Sequence, residues 1–292
     1  MKVILALSLL LFQQIISAIE MTVENIEIVD SHIHFFDTSR PDGVMWPPKR
    51  NKVLHVPTLP EHYKEIVKEN NVKKAVVVQA SNWVSDANWN LKVTENEADL
   101  YAGVVCNLST LGTKQFRKDI DKLIQNPRAV GIRITHPPKD RKFYSAQLIK
   151  DLKYIAEHNM SLDILHARFE SDTLIEIAKQ LPELNIMIGL SGKKTDLILE
   201  LERLPNVFCK FTNDLSKSET RKNFEIIWQK FGPDRIVFGS NWPATKLTPN
   251  GYAQTKKALF DILKEKGDDA VKKVFYDNAL KFYQLENGRK LK

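Results

Sequence analysis

Two histidines one residue apart, His32 and His34, end the apolar stretch IVDSHIH that begins at residue 28. Residues two apart in an extended segment point to the same side, so both imidazoles can converge on one ion or one substrate atom. Imidazole nitrogen binds zinc and similar divalent metals, and neutral imidazole can also take a proton from water. The spacing therefore indicates a catalytic or metal-binding pair, provided that the surrounding fold places it in a pocket.

The pair follows the first of eight short β-rich apolar runs, which alternate with stretches of helical periodicity. The runs occupy residues 26–31, 73–80, 101–108, 129–135, 161–166, 185–190, 206–211 and 235–240. Continuous apolar runs are typical of strands buried on both faces, and this alternation predicts a single-domain (β/α)8 TIM-like barrel of the α/β class over residues 26–286. A doubly wound open sheet alternates in the same way, but its first strand usually leads into a glycine-rich phosphate turn, which is missing here.

The ends of the predicted strands carry the candidate site residues, because catalytic groups in such barrels come from the C-terminal ends of the strands. Besides the histidine pair, these ends provide Gln79, Asn107, Arg133, His166, Leu190 with Ser191, Lys210 with Thr212, and Asn241. We interpret Gln79 and Lys210 as substrate-binding candidates, although the lysine could equally point outwards. Trp46, in the long first loop, either forms a wall of the pocket or pins that loop down.

Composition narrows the classes of partner. The chain is 43% hydrophobic and 27% charged, as in ordinary globular proteins, and its net charge of +7 comes from scattered lysines and arginines. No basic tract predicts nucleic-acid binding. The two cysteines, Cys106 and Cys209, lie inside apolar runs, which predicts buried thiols and no disulfide scaffold.

The first eighteen residues differ in character from the rest. Lys2 precedes the apolar run VILALSLLLF, and Ala18 offers a small residue for cleavage. This pattern predicts a signal peptide over residues 1–18 and a secreted or secretory-lumen protein, since ten apolar residues are too few to span a bilayer. The alternative is a cytoplasmic protein that starts at Met21.

Taken together, VDSHIHFFD, AVVVQAS, VGIRI, RIVFGSNWP and VFYDNALKFY resemble the amidohydrolase superfamily. They are most similar to its amidohydrolase-related branch, with fuconolactonase-like and pyrone-dicarboxylate-lactonase-like metal-dependent hydrolases. The resemblance implies a distorted barrel that hydrolyses lactones or other C–O and C–N bonds, or decarboxylates small acids. It makes His32 and His34 the first-strand pair, and it makes Arg133 a clamp for a substrate carboxylate, which a guanidinium fork fits well.

Two positions depart from the family pattern. Asn241 stands in FGSNWP where the family usually has an aspartate, which serves there as metal ligand or general base. Gly189 and Leu190 stand in GLSGKK where an Asp-His pair is common. An amide has no basic site near neutral pH, so the base would have to be His32, His34 or His166. His166 could also be a hydrogen-bonded structural residue.

We therefore expect a hydrolase that opens a small carboxylated or sugar-derived lactone by water attack, with one divalent metal such as zinc at His32 and His34, or with none. A catalytically inactive barrel that acts as a secreted binding protein is the first alternative, and a metal-dependent decarboxylase is the second. The expected partner is a small-molecule substrate, without nucleic acid or a membrane span, in a monomer or homodimer.

Overall fold

A computed structural model describes residues 20–135, 145–165, 171–190, 201–212, 218–249 and 251–291. Within these ranges the chain forms eight strands. They are β1 Ile28–Ile33, β2 Val72–Val78, β3 Gly103–Cys106, β4 Ala129–Ile134, β5 Ser161–Leu165, β6 Ile186–Leu190, β7 Val207–Phe211 and β8 Ile236–Phe238. All seven neighbouring pairs are parallel, and their spatial order is the chain order from β1 to β8.

The ring is completed between β1 and β8, where single contacts replace a ladder. Ile33 forms an isolated parallel bridge with Trp242. The backbone N–H of Asn241 donates to the carbonyl of His32 at 2.8 Å, and that of His34 donates to the carbonyl of Trp242 at 2.8 Å. The predicted (β/α)8 barrel is confirmed, and the doubly wound sheet is excluded because its strand order departs from the chain order.

Helices cover the outside of the barrel. In the described residues they are α1 Pro60–Asn70, α2 Val84–Val93, α3 Phe116–Leu123, α4 Ala146–Glu157, α5 Ser171–Gln180, α6 Ser218–Phe231, α7 Gly251–Lys264, α8 Asp268–Lys272 and α9 Asn278–Tyr283, with a π-helical turn at Lys273–Asp277. Phe116, Ile120 and Leu123 illustrate the pattern: they recur at intervals of four and three residues, and all are buried. No helix in the described ranges is both long and apolar enough to cross a membrane.

The N-terminal end of the barrel is closed by the last helix and the residues after it. Leu285 packs at the first residue of β3, where a Cβ on Gly103 would come within 3.1 Å of its side chain. Arg289 is buried and donates to four carbonyl groups, among them that of Ala129 at 2.9 Å. This end of the barrel is thereby filled, and the opposite end is left for a cavity.

Candidate active site

The histidine pair lies at the C-terminal end of β1. His32 and His34 are both buried, and their Nε2 atoms are 3.2 Å apart with the rings edge to face. The predicted convergence of the two imidazoles on one point is therefore present in the structure, at the rim where barrel enzymes do their chemistry.

The neighbouring strand fixes the tautomer of His34. Its Nδ1 lies 2.6 Å from the carbonyl oxygen of Val78, which can only accept, so Nδ1 carries the proton and Nε2 presents a lone pair. Burial, together with the charge of Arg133, lowers the pKa of His34 to about 3. Burial also holds the pKa of His32 well below its ordinary value, with the neighbouring imidazole as the next cause. Both imidazoles are consequently neutral at physiological pH.

Asn241 reaches the pair from the loop after β8. Its Oδ1 lies 3.2 Å from Nε2 of His34, and its backbone has a φ of +59°. The chain approaches β1 closely just before this residue: a Cβ on Gly239 would lie 2.7 Å from the Cβ of His32. Glycine at position 239 is therefore required for the amide of Asn241 to reach the histidines.

Asp30 holds β1 and this loop together, a role that the sequence reasoning missed. It is fully buried, and its Oδ1 accepts from the backbone N–H groups of His32 at 3.2 Å and Ser240 at 2.9 Å. Its Oδ2 accepts from the hydroxyl of Tyr63 at 2.7 Å. Burial raises the pKa of Asp30, and these donors oppose that rise. In the sequence, this role is indicated by a carboxylate, Asp30, inside an otherwise apolar strand.

These groups open into a cavity of about 440 Å³ at the C-terminal end of the barrel. Eight of the predicted site residues line it together: His32, His34, Trp46, Asn107, Arg133, Lys210, Thr212 and Asn241. Asp163, which the sequence reasoning did not select, lines it as well. The volume is in the range of sites for small molecules.

Lys210 and Asp163 form a buried ion pair in the cavity wall. The Nζ of Lys210 lies 2.8 Å from Oδ2 of Asp163 and donates to the hydroxyl of Tyr283 at 2.7 Å. That hydroxyl in turn donates to the same carboxylate oxygen at 2.6 Å. Burial lowers the pKa of Lys210, and Asp163 opposes the change. The lysine faces inwards, so one of the two orientations left open by the sequence is realised.

Arg133 and Gln79 occupy different environments. Arg133 lines the cavity, is 9% exposed, and its Nη1 donates to the carbonyl of Gln79 at 3.4 Å. The Gln79 side chain lies outside the cavity lining: its amide donates to the carbonyl groups of Trp83 and Asn107 and accepts from the N–H of Asn107. It joins the ends of β2 and β3, and its substrate-binding role stays a prediction.

Trp46 covers one side of the histidine pair. Its ring centroid lies 5.3 Å from that of His34 and 5.4 Å from that of Phe36. The tryptophan thus lines the cavity and also packs against the chain that leaves β1, so both predicted roles are compatible with its position. His166 lies outside the described residues, as does the side chain of Leu190.

The donor atoms can be tested against a metal ion. Nε2 of His34, which carries a lone pair, lies 3.2 Å from Nε2 of His32 and 3.2 Å from Oδ1 of Asn241. Zinc ligands with bonds of about 2.1 Å in tetrahedral geometry are roughly 3.4 Å apart, so one divalent cation fits between these three atoms. Turning the Asn241 amide would instead let its NH2 group donate to His34, which is the arrangement for a metal-free site.

The electrostatic surroundings would make such a metal site weak. Among the residues that the structure describes, no group of three His, Cys, Asp or Glu side chains is placed to share a metal ion. The three available donors are neutral, and the charges of Arg133 and Lys210 disfavour a further positive charge, as they do on the histidines. The spacing of the three donor atoms therefore suits a cation, whereas the nearby positive charges oppose its binding.

Comparison with known proteins assigns the family. A family model for amidohydrolases matches residues 29–285. The chain belongs to the amidohydrolase family. The resemblance noted in the sequence is confirmed, and within this family the cavity at the barrel rim is the candidate catalytic site.

Curated relatives match over shorter segments. An uncharacterised protein of Sinorhizobium fredii, y4mH, is 25% identical over 149 residues, which cover 46% of this chain and 50% of that protein. An L-rhamnono-gamma-lactonase of Scheffersomyces stipitis is 34% identical over 68 residues, 21% of this chain and 20% of that enzyme. The chain thus spans half or less of the length of these relatives.

Solved structures match over nearly the whole barrel. An amidohydrolase of Burkholderia multivorans with bound zinc has a TM-score of 0.77 at 17% identity, covering 89% of this chain and 100% of that chain. A probable 2-pyrone-4,6-dicarboxylic acid hydrolase of Acinetobacter baumannii, with citric acid bound, has a TM-score of 0.67 at 15% identity and the same coverage. At these identities the likeness shows the shared fold.

Proposed function

We propose that this protein is a hydrolase that opens a small carboxylated or sugar-derived lactone. The observation that carries the proposal is the meeting of a neutral histidine pair and a guanidinium in one cavity of about 440 Å³. The lactonase among the curated relatives and the pyrone-dicarboxylic acid hydrolase among the structures support the substrate class by analogy.

The reaction assigns a role to each group. Arg133 binds the substrate carboxylate, which directs the ring carbonyl towards the histidine pair. Water adds to the carbonyl carbon, and Nε2 of His34, which is unprotonated because Nδ1 donates to Val78, accepts the proton that the water loses. The positive charge of Lys210 in the cavity wall stabilises the oxyanion. When the ring C–O bond breaks, the leaving oxygen takes the proton back from the imidazole and becomes a hydroxyl group.

A divalent metal, if bound, would be held by His32, His34 and Asn241, and it would polarise the carbonyl and acidify water. The zinc bound to the Burkholderia multivorans protein supports, by analogy, the presence of a divalent metal in this protein. Arg133 and Lys210 keep their roles in either case, because they bind the anionic parts of the substrate and of the transition state.

Asn241 favours a second function, that of a catalytically inactive barrel which binds a small acid. An amide cannot remove a proton from water, and a base with a pKa of about 3, as in His34, is weak. On this alternative the cavity and Arg133 bind a ligand, and no turnover follows.

A lactone panel separates the two functions. Wild-type protein, Asn241→Asp and His34→Gln are assayed with five- and six-membered sugar lactones, with and without an additional carboxylate. We expect turnover by the wild type and a loss of about 100-fold or more in His34→Gln. Binding without turnover in both wild type and Asn241→Asp supports the binding protein. If no lactone is hydrolysed and none raises Tm, both functions are wrong.

Metal analysis tests the cofactor independently of activity. Zinc is measured in the purified protein and then titrated by calorimetry into protein treated with a chelator. We expect Asn241→Asp, which supplies a negative oxygen, to bind zinc at least about tenfold more tightly than wild type. Equal affinities would show that residue 241 does not contact the metal, and stoichiometric zinc in the wild type would exclude the metal-free version.

A further inference from the structure

A second cavity, of about 310 Å³, adjoins the one that contains the histidine pair. Four lining residues are common to both cavities: Asn82, Asn107, Arg133 and Thr135. The second cavity extends from these side chains over the ends of β3 and β4. A ligand whose carboxylate lies at Arg133 therefore has space on two sides, one towards the histidines and one away from them.

The outer wall of this second cavity is the loop that follows β3, and the loop is fixed by hydrogen bonds. The N–H of Ser109 donates to the carbonyl of Asn82 at 3.2 Å. The N–H of Gly112, at a φ of +82° that favours glycine, donates to Oδ2 of Asp151 at 2.9 Å. These contacts join the loop to the chain after β2 and to α4, so the cavity is part of the fold.

The lining offers unpaired hydrogen-bonding groups. Within the described residues, the side chains of Asn82 and Ser109 form no hydrogen bond with the protein. The amide of Asn107 donates to the hydroxyl of Thr135 at 3.4 Å, and its oxygen is left without a donor in the same described set. Among the described residues that line this cavity there is no carboxylate and no aromatic ring. Neutral amides and hydroxyls that both donate and accept are matched by a ligand rich in hydroxyl groups.

We infer that the second cavity is a subsite for a hydroxylated extension of the substrate, namely a second sugar unit carried by a sugar-acid lactone. That the reacting group is a lactone rests on the proposed function. That the substrate carries a second sugar unit rests on the second cavity alone. Arg133 lies at the junction and binds a carboxylate of the sugar acid, while Asn82 and Ser109 bind hydroxyl groups of the added unit.

Two matched acids test the subsite without relying on turnover. Gluconate carries one sugar-derived chain, and cellobionate adds one glucose unit to it. We expect calorimetry to give at least about tenfold tighter binding of cellobionate, the gain from a few additional hydrogen bonds. Ser109→Leu places an apolar side chain in the second cavity and should reduce this preference to less than about threefold. Ser85→Leu, at an exposed position outside both cavities, is the control and should keep the preference.

The corresponding lactones then separate this inference from the proposed function. Failure to hydrolyse either lactone counts against the lactonase, while a preference for cellobionate that Ser109→Leu removes still supports the subsite. Two results overturn the subsite while hydrolysis of gluconolactone still supports the lactonase. One is equal affinity for gluconate and cellobionate, and the other is a preference for cellobionate that persists in Ser109→Leu. Absence of binding by either acid overturns the subsite as well.

Discussion

Oδ1 of Asp30 accepts the backbone N–H of Ser240 at 2.9 Å, and so it ties β1 to the loop that presents Asn241. The same oxygen accepts from the N–H of His32. One buried carboxylate therefore sets the relative position of the histidine pair and Asn241, although it does not line the cavity.

Replacing Asp30 by Asn should loosen this arrangement. The amide keeps the size of the side chain but loses the charge that strengthens three hydrogen bonds, so we expect the free energy of unfolding to fall by about 2 kcal/mol. Urea denaturation measures this loss. For a positioning residue, kcat on a lactone should fall while KM changes little. Asp261→Asn, which alters an exposed pair with Lys257, is the control and should cost less than about 1 kcal/mol.

Because Lys210 and Asp163 form a buried pair, we expect the losses of stability caused by replacing each residue not to be additive. Lys210→Met leaves the carboxylate buried without its charged partner and with the hydroxyls of Tyr283 and Ser161 as donors, and we expect a loss of about 3–5 kcal/mol in the free energy of unfolding. Adding Asp163→Asn removes the unpaired charge and should restore at least half of that loss. A double variant no more stable than the single one would show that packing, and not charge, sets the cost.

Arg133→Lys should alter substrate preference. Lysine keeps the charge but loses the two-pronged fork, so kcat/KM for a carboxylated lactone should fall at least about tenfold more than for a neutral one. Steady-state kinetics on the two lactones measures the ratio. Arg221→Lys, at an exposed pair with Glu265, is the matched control. Equal losses on both substrates would remove Arg133 from carboxylate recognition.

The two buried thiols predict a loss of stability at alkaline pH. Burial raises the pKa of Cys106 to about 12, and it raises that of Cys209 as well. Thiols of the unfolded chain ionise near pH ~8.5, so above that pH the unfolded state loses protons that the folded state keeps, and stability falls as pH rises. Buried tyrosines, whose pKa is raised too, ionise in the unfolded chain near pH ~10 and add a smaller loss as the pH approaches that value.

Urea unfolding at pH 8 and pH 10 measures this effect. We expect a loss of about 2 kcal/mol per thiol between these pH values. Cys106→Val should remove about 2 kcal/mol of the loss, and Cys106→Val combined with Cys209→Val about twice that, which leaves the contribution of the tyrosines. An unchanged loss in the double variant would assign the pH dependence to other groups.

The barrel and the centre of its site were predictable because they depend on local patterns. Alternating apolar runs give the strands, and a residue directly after a strand of a barrel lies at the rim, as His34 and Arg133 do. The same rule placed Gln79 at the rim, but its amide turns towards the backbone of the next strand. Sequence alone does not show which way such a side chain points.

The residues that were missed act over long distances in the chain. Asp163 pairs with Lys210 and with Tyr283, 47 and 120 residues away. In the sequence, each of the three is only a polar residue inside or after an apolar run. The closed barrel brings them into contact. The signal peptide over residues 1–18, cleavage after Ala18 and a role for His166 stay predictions, because those residues lie outside the described part of the chain.

The meeting of β1 and β8 has a consequence for refolding. Both histidines and Asn241 lie where, among the described residues, β1 and β8 are joined by isolated contacts, so the geometry of the candidate site arises only when the first and last strands come together. Recovery of substrate affinity after dilution from denaturant should then lag behind the recovery of helical circular dichroism. The rate at which ligand binding recovers would then report the pairing of β1 with β8.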